Sequence, residues 1–92
     1  MIQSFRCKRT QLFFEGNRVI RFIHFQYAAA RKLQLLDAAE TLDFLRSPPG
    51  NRLEALSGCR AGQHSIRIND QWRICFVWTM EGPELVEIID YH

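Results

Sequence analysis

No apolar run in this sequence approaches the roughly 20 residues that a bilayer-spanning helix requires, so no membrane partner is expected. Arg6, Lys8 and Arg9 are followed only by short apolar runs, which do not read as a secretory leader; the expected location is cytoplasmic. Cysteine is scarce. The three, Cys7, Cys59 and Cys75, are odd in number and none stands at metal-ligand spacing, which argues for reduced thiols over a disulfide framework. Glycine and proline are too few and scattered to form a linker, and Gly50, Gly58 and Gly62 make no phosphate-binding loop, because no Lys-Ser/Thr follows them. Nothing divides the 92 residues, so one domain, 1–92, with one modest core is expected, with no metal and no cofactor.

What is present is unevenly placed. A net charge of +2 does not identify a nucleic-acid binder, but its distribution is asymmetric. Arg6, Lys8, Arg9, Arg18 and Arg21 face only Glu15 in the first 24 residues, and Arg52, Arg60, Arg67 and Arg73 cluster later. The acids gather in 37–43 and 81–90, so one side of the protein is expected to be basic and suited to an anionic polymer or an acidic protein segment.

The last third carries the strongest pattern. Alternation places Ile66 and Ile68 opposite Arg67, and Trp72, Ile74, Phe76 and Trp78 opposite Arg73, Cys75 and Val77. With turns at Asn69-Asp70 and Glu81-Gly82-Pro83, this predicts an antiparallel meander with a core face and a second, partly open face. Upstream, residues 1–5 alternate as a short added strand, parallel or antiparallel. Thr10 is placed to cap a helix through Leu12, Phe13 and Phe14 that Gly16-Asn17 ends, and 18–23 reads as a basic connector. From His24 to Arg46 the composition is helical, with Leu35, Ala38 or Ala39, Leu42 and Leu45 on one stripe. Asp37 and Glu40 fit either a capping box dividing this stretch near Leu36 or two exposed positions of one long helix. Ser47-Pro48-Pro49-Gly50 ends it. Residues 51–62 form an irregular loop in which Leu53 and Leu56 plug the core. The fold class is therefore α+β: a small antiparallel sheet with two or three N-terminal helices on one face.

On the second face, Arg67 and Arg73 are candidates to hold a phosphodiester, since a guanidinium fork meets two oxygens and stabilises charge developing on phosphorus. The same pair also fits surface salt bridges. Arginine does not act as a general base, so proton transfer falls to another group. Histidine as a residue type can exchange protons near neutrality, which makes His92 the candidate, Tyr91 offers a stacking ring and a hydroxyl, and Asp90 can orient a histidine or an arginine or accept a substrate proton; a frayed polar end is the competing account. His64 would sit at the rim of the same surface, or be a plain strand-edge imidazole. Trp72 and Trp78 share the apolar register and are assigned to the core, Cys75 to packing, leaving Tyr91 as the stacking candidate.

The runs PPGNRLEAL, GCRAGQHSIRINDQWRICFVW and VEIIDYH, with the opening MIQSF and the central KLQLLDAAETLDFLRSPPG, resemble the host-killing, plasmid-maintenance toxins of the HigB type within the RelE/ParE toxin superfamily. The resemblance covers essentially the whole chain. It implies helices packed on one side of an antiparallel sheet and a metal-independent endoribonuclease that cuts message in the A site of the 70S ribosome. It also implies a helix-turn-helix, HigA-like antitoxin, and operator DNA bound only through the toxin–antitoxin complex. Carried over by position, Arg73 of QWRI would stabilise phosphate, His92 would move the proton, Tyr91 would stack or hydrogen-bond, and Asp90 would hold the group together. Arg60, Arg67, Ser57 and His64 would contact RNA. Some family members carry histidine where Glu54 stands and lysine where Ser57 stands, and LKGDR is the usual reading where this chain has LSGCR. Glu54 is then a subfamily trait or a carboxylate base, and Ser57 implies weaker RNA binding or slower cleavage. Two other outcomes stay open: a non-cleaving inhibitor of a protein target such as DNA gyrase, as for ParE-like relatives, and an attenuated toxin acting through antitoxin and operator.

Overall fold

A computed structural model describes residues 1–47 and 49–90. Two α-helices, α1 (Lys8–Phe14) and α2 (Gln26–Ala38), precede four strands, β1 (Glu54–Ala55), β2 (His64–Arg67), β3 (Trp72–Thr79) and β4 (Gly82–Asp90). The sheet is antiparallel in the order β1-β2-β3-β4, so every strand pairs with its neighbour in sequence. The α+β arrangement expected from the sequence is the one found.

Register follows the alternation. Ile66 faces Ile74 and Ile74 faces Ile88 across the sheet, and these join Phe76, Val86, Phe22, Leu33, Leu36 and Leu45 in one buried core. Trp72 and Trp78 pack against it, as their shared face predicts. The β2–β3 turn is closed by Asn69, whose Oδ1 accepts the backbone N–H groups of Gln71 (2.9 Å) and Trp72 (2.8 Å). The second hairpin differs from expectation. Thr79 pairs with Gly82, so Met80 and Glu81 form the tip, while Gly82 and Pro83 belong to β4.

The N-terminal residues run beside β4 as an extended segment joined to it through one isolated bridge, which is parallel, instead of forming a full added strand. Phe5 bridges Val86 in parallel, Gln3 N donates to Pro83 O (2.8 Å) and Arg6 N donates to Val86 O (3.0 Å). Gly82 permits that approach. Its φ is +129°, and a Cβ there would lie 2.3 Å from the Met1 carbonyl oxygen. Replacing it forces both a backbone conformation almost confined to glycine and a clash with main chain. Gly82→Ala is therefore expected to lose about 3 kcal/mol by denaturant titration, with amide protection falling first at residues 2–6. Protection unchanged there would show that the N-terminal segment docks without this close approach.

The helical layer and the loop after it correct several expectations. Cys7, not Thr10, occupies the N-cap of α1; Thr10 is inside the helix, fully buried, and its Oγ1 accepts Ile88 N at 3.1 Å. Its hydroxyl is used to tie the helix to the sheet. The supposed basic connector holds a 3₁₀ turn, Ile20–Phe25, because Phe22 drives into the core. The long helical stretch is broken, but after Ala38 instead of near Leu36, and its continuation is a 3₁₀ turn, Asp43–Arg46. No capping box forms: Asp37 Oδ1 accepts Ile2 N (2.8 Å), so this carboxylate serves the N-terminal segment. Finally, the loop 51–62 contains a strand, β1, too short to be read from alternation.

Candidate active site

Cross-strand pairing collects the second face of the sheet. Glu54 lies opposite Ser65, Ser65 opposite Cys75, and Arg67 opposite Arg73, so these side chains project to one side, away from the helices. The segment from Asn51 to Arg60 folds across that side. Part of the second face is thereby covered: Ser65 and Cys75 are fully buried and Arg73 is only 8% exposed.

Arg73 is recessed and held in one orientation. Its Nε donates to Ser65 Oγ at 2.8 Å, and its Nη2 donates to the Arg52 carbonyl at 2.7 Å. The same Nη2 is 3.5 Å from Glu54 Oε1, an ion pair in which Glu54 is about half exposed. This is not the flexible surface salt bridge that composition alone allows. The guanidinium is fixed by one buried acceptor, the Ser65 hydroxyl, and by the part-buried Arg52 carbonyl, and it faces a solvent-reachable carboxylate.

The Arg52 carbonyl reaches Arg73 because Arg52 has φ +46°, a left-handed conformation unfavourable for a non-glycine residue. Asn51, fully buried, secures it. Its Nδ2 donates to Leu45 O (3.1 Å) and its Oδ1 accepts Lys32 Nζ from α2. Burial holds the Lys32 ammonium below its usual pKa, with Arg31 and Arg67 adding to the effect.

Arg67 shares the face with Arg73, but its guanidinium turns to Asp70 in its own hairpin. Arg60 reaches from the loop to β4, where its Nη1 contacts Glu87 Oε1 at 2.9 Å; Arg6 approaches the same carboxylate at 3.7 Å. Ser57 is exposed at the start of the 3₁₀ turn Gly58–Arg60. Cys75 faces this side as well, fully buried, and burial pushes its thiol up to about 11, which favours the protonated form.

Two expected members stand elsewhere. His64 is paired with Phe76, and the two rings stack at 6.3 Å, which places the imidazole on the packed face and not at the rim beside Arg73. Asp90 pairs with Trp72, on the face opposite Arg73, and its Oδ2 accepts Gln71 Nε2 at 3.0 Å. The pleat thus separates Asp90 from the guanidinium it was expected to support. Tyr91 and His92 lie outside the described residues. Sequence reasoning missed Ser65, Asn51 and the Arg52 carbonyl. Ser65 had a signal, since it precedes Arg67 by two residues on the same strand face; the others depend on loop geometry and had none.

Two helices with a four-stranded antiparallel sheet are consistent with a RelE-like fold. The HigB-like toxin family, described as the RelE-like toxin of type II toxin–antitoxin system HigB, matches residues 3–92. Toxin HigB-1 of Vibrio cholerae serotype O1 is 40% identical over 94 residues, covering 100% of this chain and 98% of that protein. An uncharacterised protein of Haemophilus influenzae is 41% identical over 56 residues, covering 61% of this chain and 54% of its own length. The chain belongs to the HigB-like toxin family of type II toxin–antitoxin systems, and an antitoxin is accordingly its partner. No helix among the described residues is long and apolar enough to cross a membrane.

Proposed function

We propose that this toxin is a ribosome-dependent, metal-independent mRNA endonuclease acting in the cytoplasm. The observation that carries the proposal is the fixed Arg73 guanidinium beside Glu54 on the sheet face, in a chain whose family is RelE-like. In the reaction, the ribose 2′-oxygen attacks the adjacent phosphorus, the O2′–P bond forms and the P–O5′ bond breaks. The proton leaving O2′ passes to Glu54, and His92 supplies one to the departing O5′, giving a cyclic phosphate and a 5′-hydroxyl. Arg73 stabilises the charge that builds on the phosphoryl oxygens. Tyr91 supports a base by stacking. Arg60 and Arg67 add positive potential along the same face, although each already meets a carboxylate. A helix-turn-helix, HigA-like antitoxin is the proposed partner that neutralises the toxin and carries it to operator DNA.

Ser57, exposed where some family members carry lysine, favours a slower enzyme than those relatives, because a phosphate contact is missing. Primer extension on translated message tests the proposal. The parent is expected to give discrete cuts in the A-site codon, His92→Ala and Glu54→Ala to lose them, and Ser57→Lys to raise the rate several-fold. Uncut message with the folded parent would sink the nuclease and leave inhibition of a protein target, such as DNA gyrase, as the account. Cutting that survives both alanine variants would reassign proton transfer.

A further inference from the structure

A second cluster of arginines lies outside the recess around Arg73. Where the N-terminal segment turns away into α1, the outer edge of β4 is left beside a cleft of about 310 Å³ whose lining includes Arg9, Arg21, Phe22, Glu87, Ile88 and Asp90. Arg21 is not a loose surface side chain. Its guanidinium carbon stands 5.2 Å from the centroid of the Trp72 ring, and Trp72 is itself stacked on Phe25 at 4.7 Å. Among the described residues, neither Arg9 nor Arg21 makes an ion pair with a carboxylate. The acids at the cleft are otherwise engaged. Glu87 is met by Arg60 and Arg6, and Asp90 accepts a hydrogen bond from Gln71. Among the described residues, an anion entering the cleft therefore finds the guanidiniums of Arg9 and Arg21 unpaired with acid.

The position links this cleft to the sheet face. Ile89 lines the cleft and is also the cross-strand partner of Arg73, so the two sites flank the same end of β4, with backbones about 5 Å apart. We infer that the cleft is a second RNA-contact site in which Arg9 and Arg21 hold a backbone phosphate near the one acted on beside Arg73. This rests on the nuclease proposal and adds to it a binding element on the helical side of β4. Guanidinium forks suit the two oxygens of a phosphodiester, and such contacts grip RNA without reading its bases. The phosphate comes from the message or from ribosomal RNA lining the decoding site.

Two assays separate these sources, with Arg9→Gln, Arg21→Lys and Arg21→Gln compared with the parent toxin. The first is equilibrium binding of a single-stranded RNA blocked by 2′-deoxy substitution at the cleavage position, measured against salt. The second is cleavage on programmed ribosomes as a function of toxin concentration. Each glutamine variant is expected to weaken binding about 5- to 10-fold and to lower the salt slope by about 0.7, the value for one single-strand phosphate. On ribosomes the half-saturating concentration should rise more than the maximal rate falls. Arg21→Lys keeps the cation over Trp72 and should lose less than Arg21→Gln, which separates phosphate binding from packing. Loss in both assays assigns the phosphate to the message, and loss on ribosomes alone assigns it to ribosomal RNA. If folded Arg9→Gln and Arg21→Gln match the parent in both while Arg73→Ala does not, the cleft is not an RNA site and the nuclease stands. Loss of antitoxin affinity with RNA binding intact would likewise overturn the inference and make the cleft a protein-docking surface. A parent that neither binds nor cuts RNA removes both proposals together.

Discussion

Arg73→Ala is expected to reduce message cleavage by roughly 10²- to 10³-fold, the range found when one fixed donor to a developing oxyanion is removed. The effect is large because this side chain is preorganised. Ser65 Oγ and the Arg52 carbonyl hold it before substrate arrives, so no reorientation is required as charge forms on phosphorus. The substitution also leaves those two acceptors without their donor and Glu54 without its facing cation, so a stability loss of about 1–3 kcal/mol should accompany it. Arg73→Lys separates the two causes. It keeps the charge but cannot reproduce the fork, and it should recover less than about a tenth of the activity. Activity is to be measured beside circular dichroism and antitoxin binding, which report the fold. A folded Arg73→Ala protein that cuts within threefold of the parent would remove Arg73 from the mechanism.

Phe22→Ala is expected to have the largest effect on stability, about 3–5 kcal/mol. Phe22 is fully buried, and its ring meets Phe13 at 5.4 Å, Phe25 at 5.8 Å and Trp72 at 6.1 Å. It therefore joins α1, the following 3₁₀ turn and β3 in one contact set. A chain of this length has roughly 5–14 kcal/mol of total stability, so the loss should lower Tm on the order of 15–30 °C. Ile20→Ala, two residues away and 71% exposed, should cost under about 0.5 kcal/mol and serves as the comparison. Similar losses for the two variants would mean that the aromatic cluster does not join the helices to the sheet.

Position in the core was legible in the sequence wherever periodicity was long enough. The β3 run carries alternation over eight residues, and its core face, from Trp72 through Trp78, lies where that pattern places it. Phe22 was not legible, because a 3₁₀ turn has no pattern long enough to reveal and the neighbouring arginines suggest a solvated connector. The break after Ala38 escaped for a related reason: Asp37 looks like a cap, but a backbone N–H 35 residues earlier in the chain claims its carboxylate. Thr10 was misplaced in the same way, its hydroxyl being taken by Ile88 across the molecule.

The candidate site shows the same division. Arg67, Arg73 and Glu54 could be singled out as residues with the right chemistry, and the strand face of the two arginines follows from a period of two. That Arg73 is buried and held by Ser65 and a left-handed Arg52 depends on a loop folded over the sheet, which no local pattern specifies. His64 and Asp90 were drawn toward the site by nearness in sequence, yet pairing with Phe76 and Trp72 puts both on the other face. The sequence by itself determined the α+β class, the family and the residues proposed to handle phosphate. Only the tertiary structure decided which of them stand together, because strand register and loop packing are settled between segments far apart in the chain, where hydrogen bonding and burial are satisfied jointly.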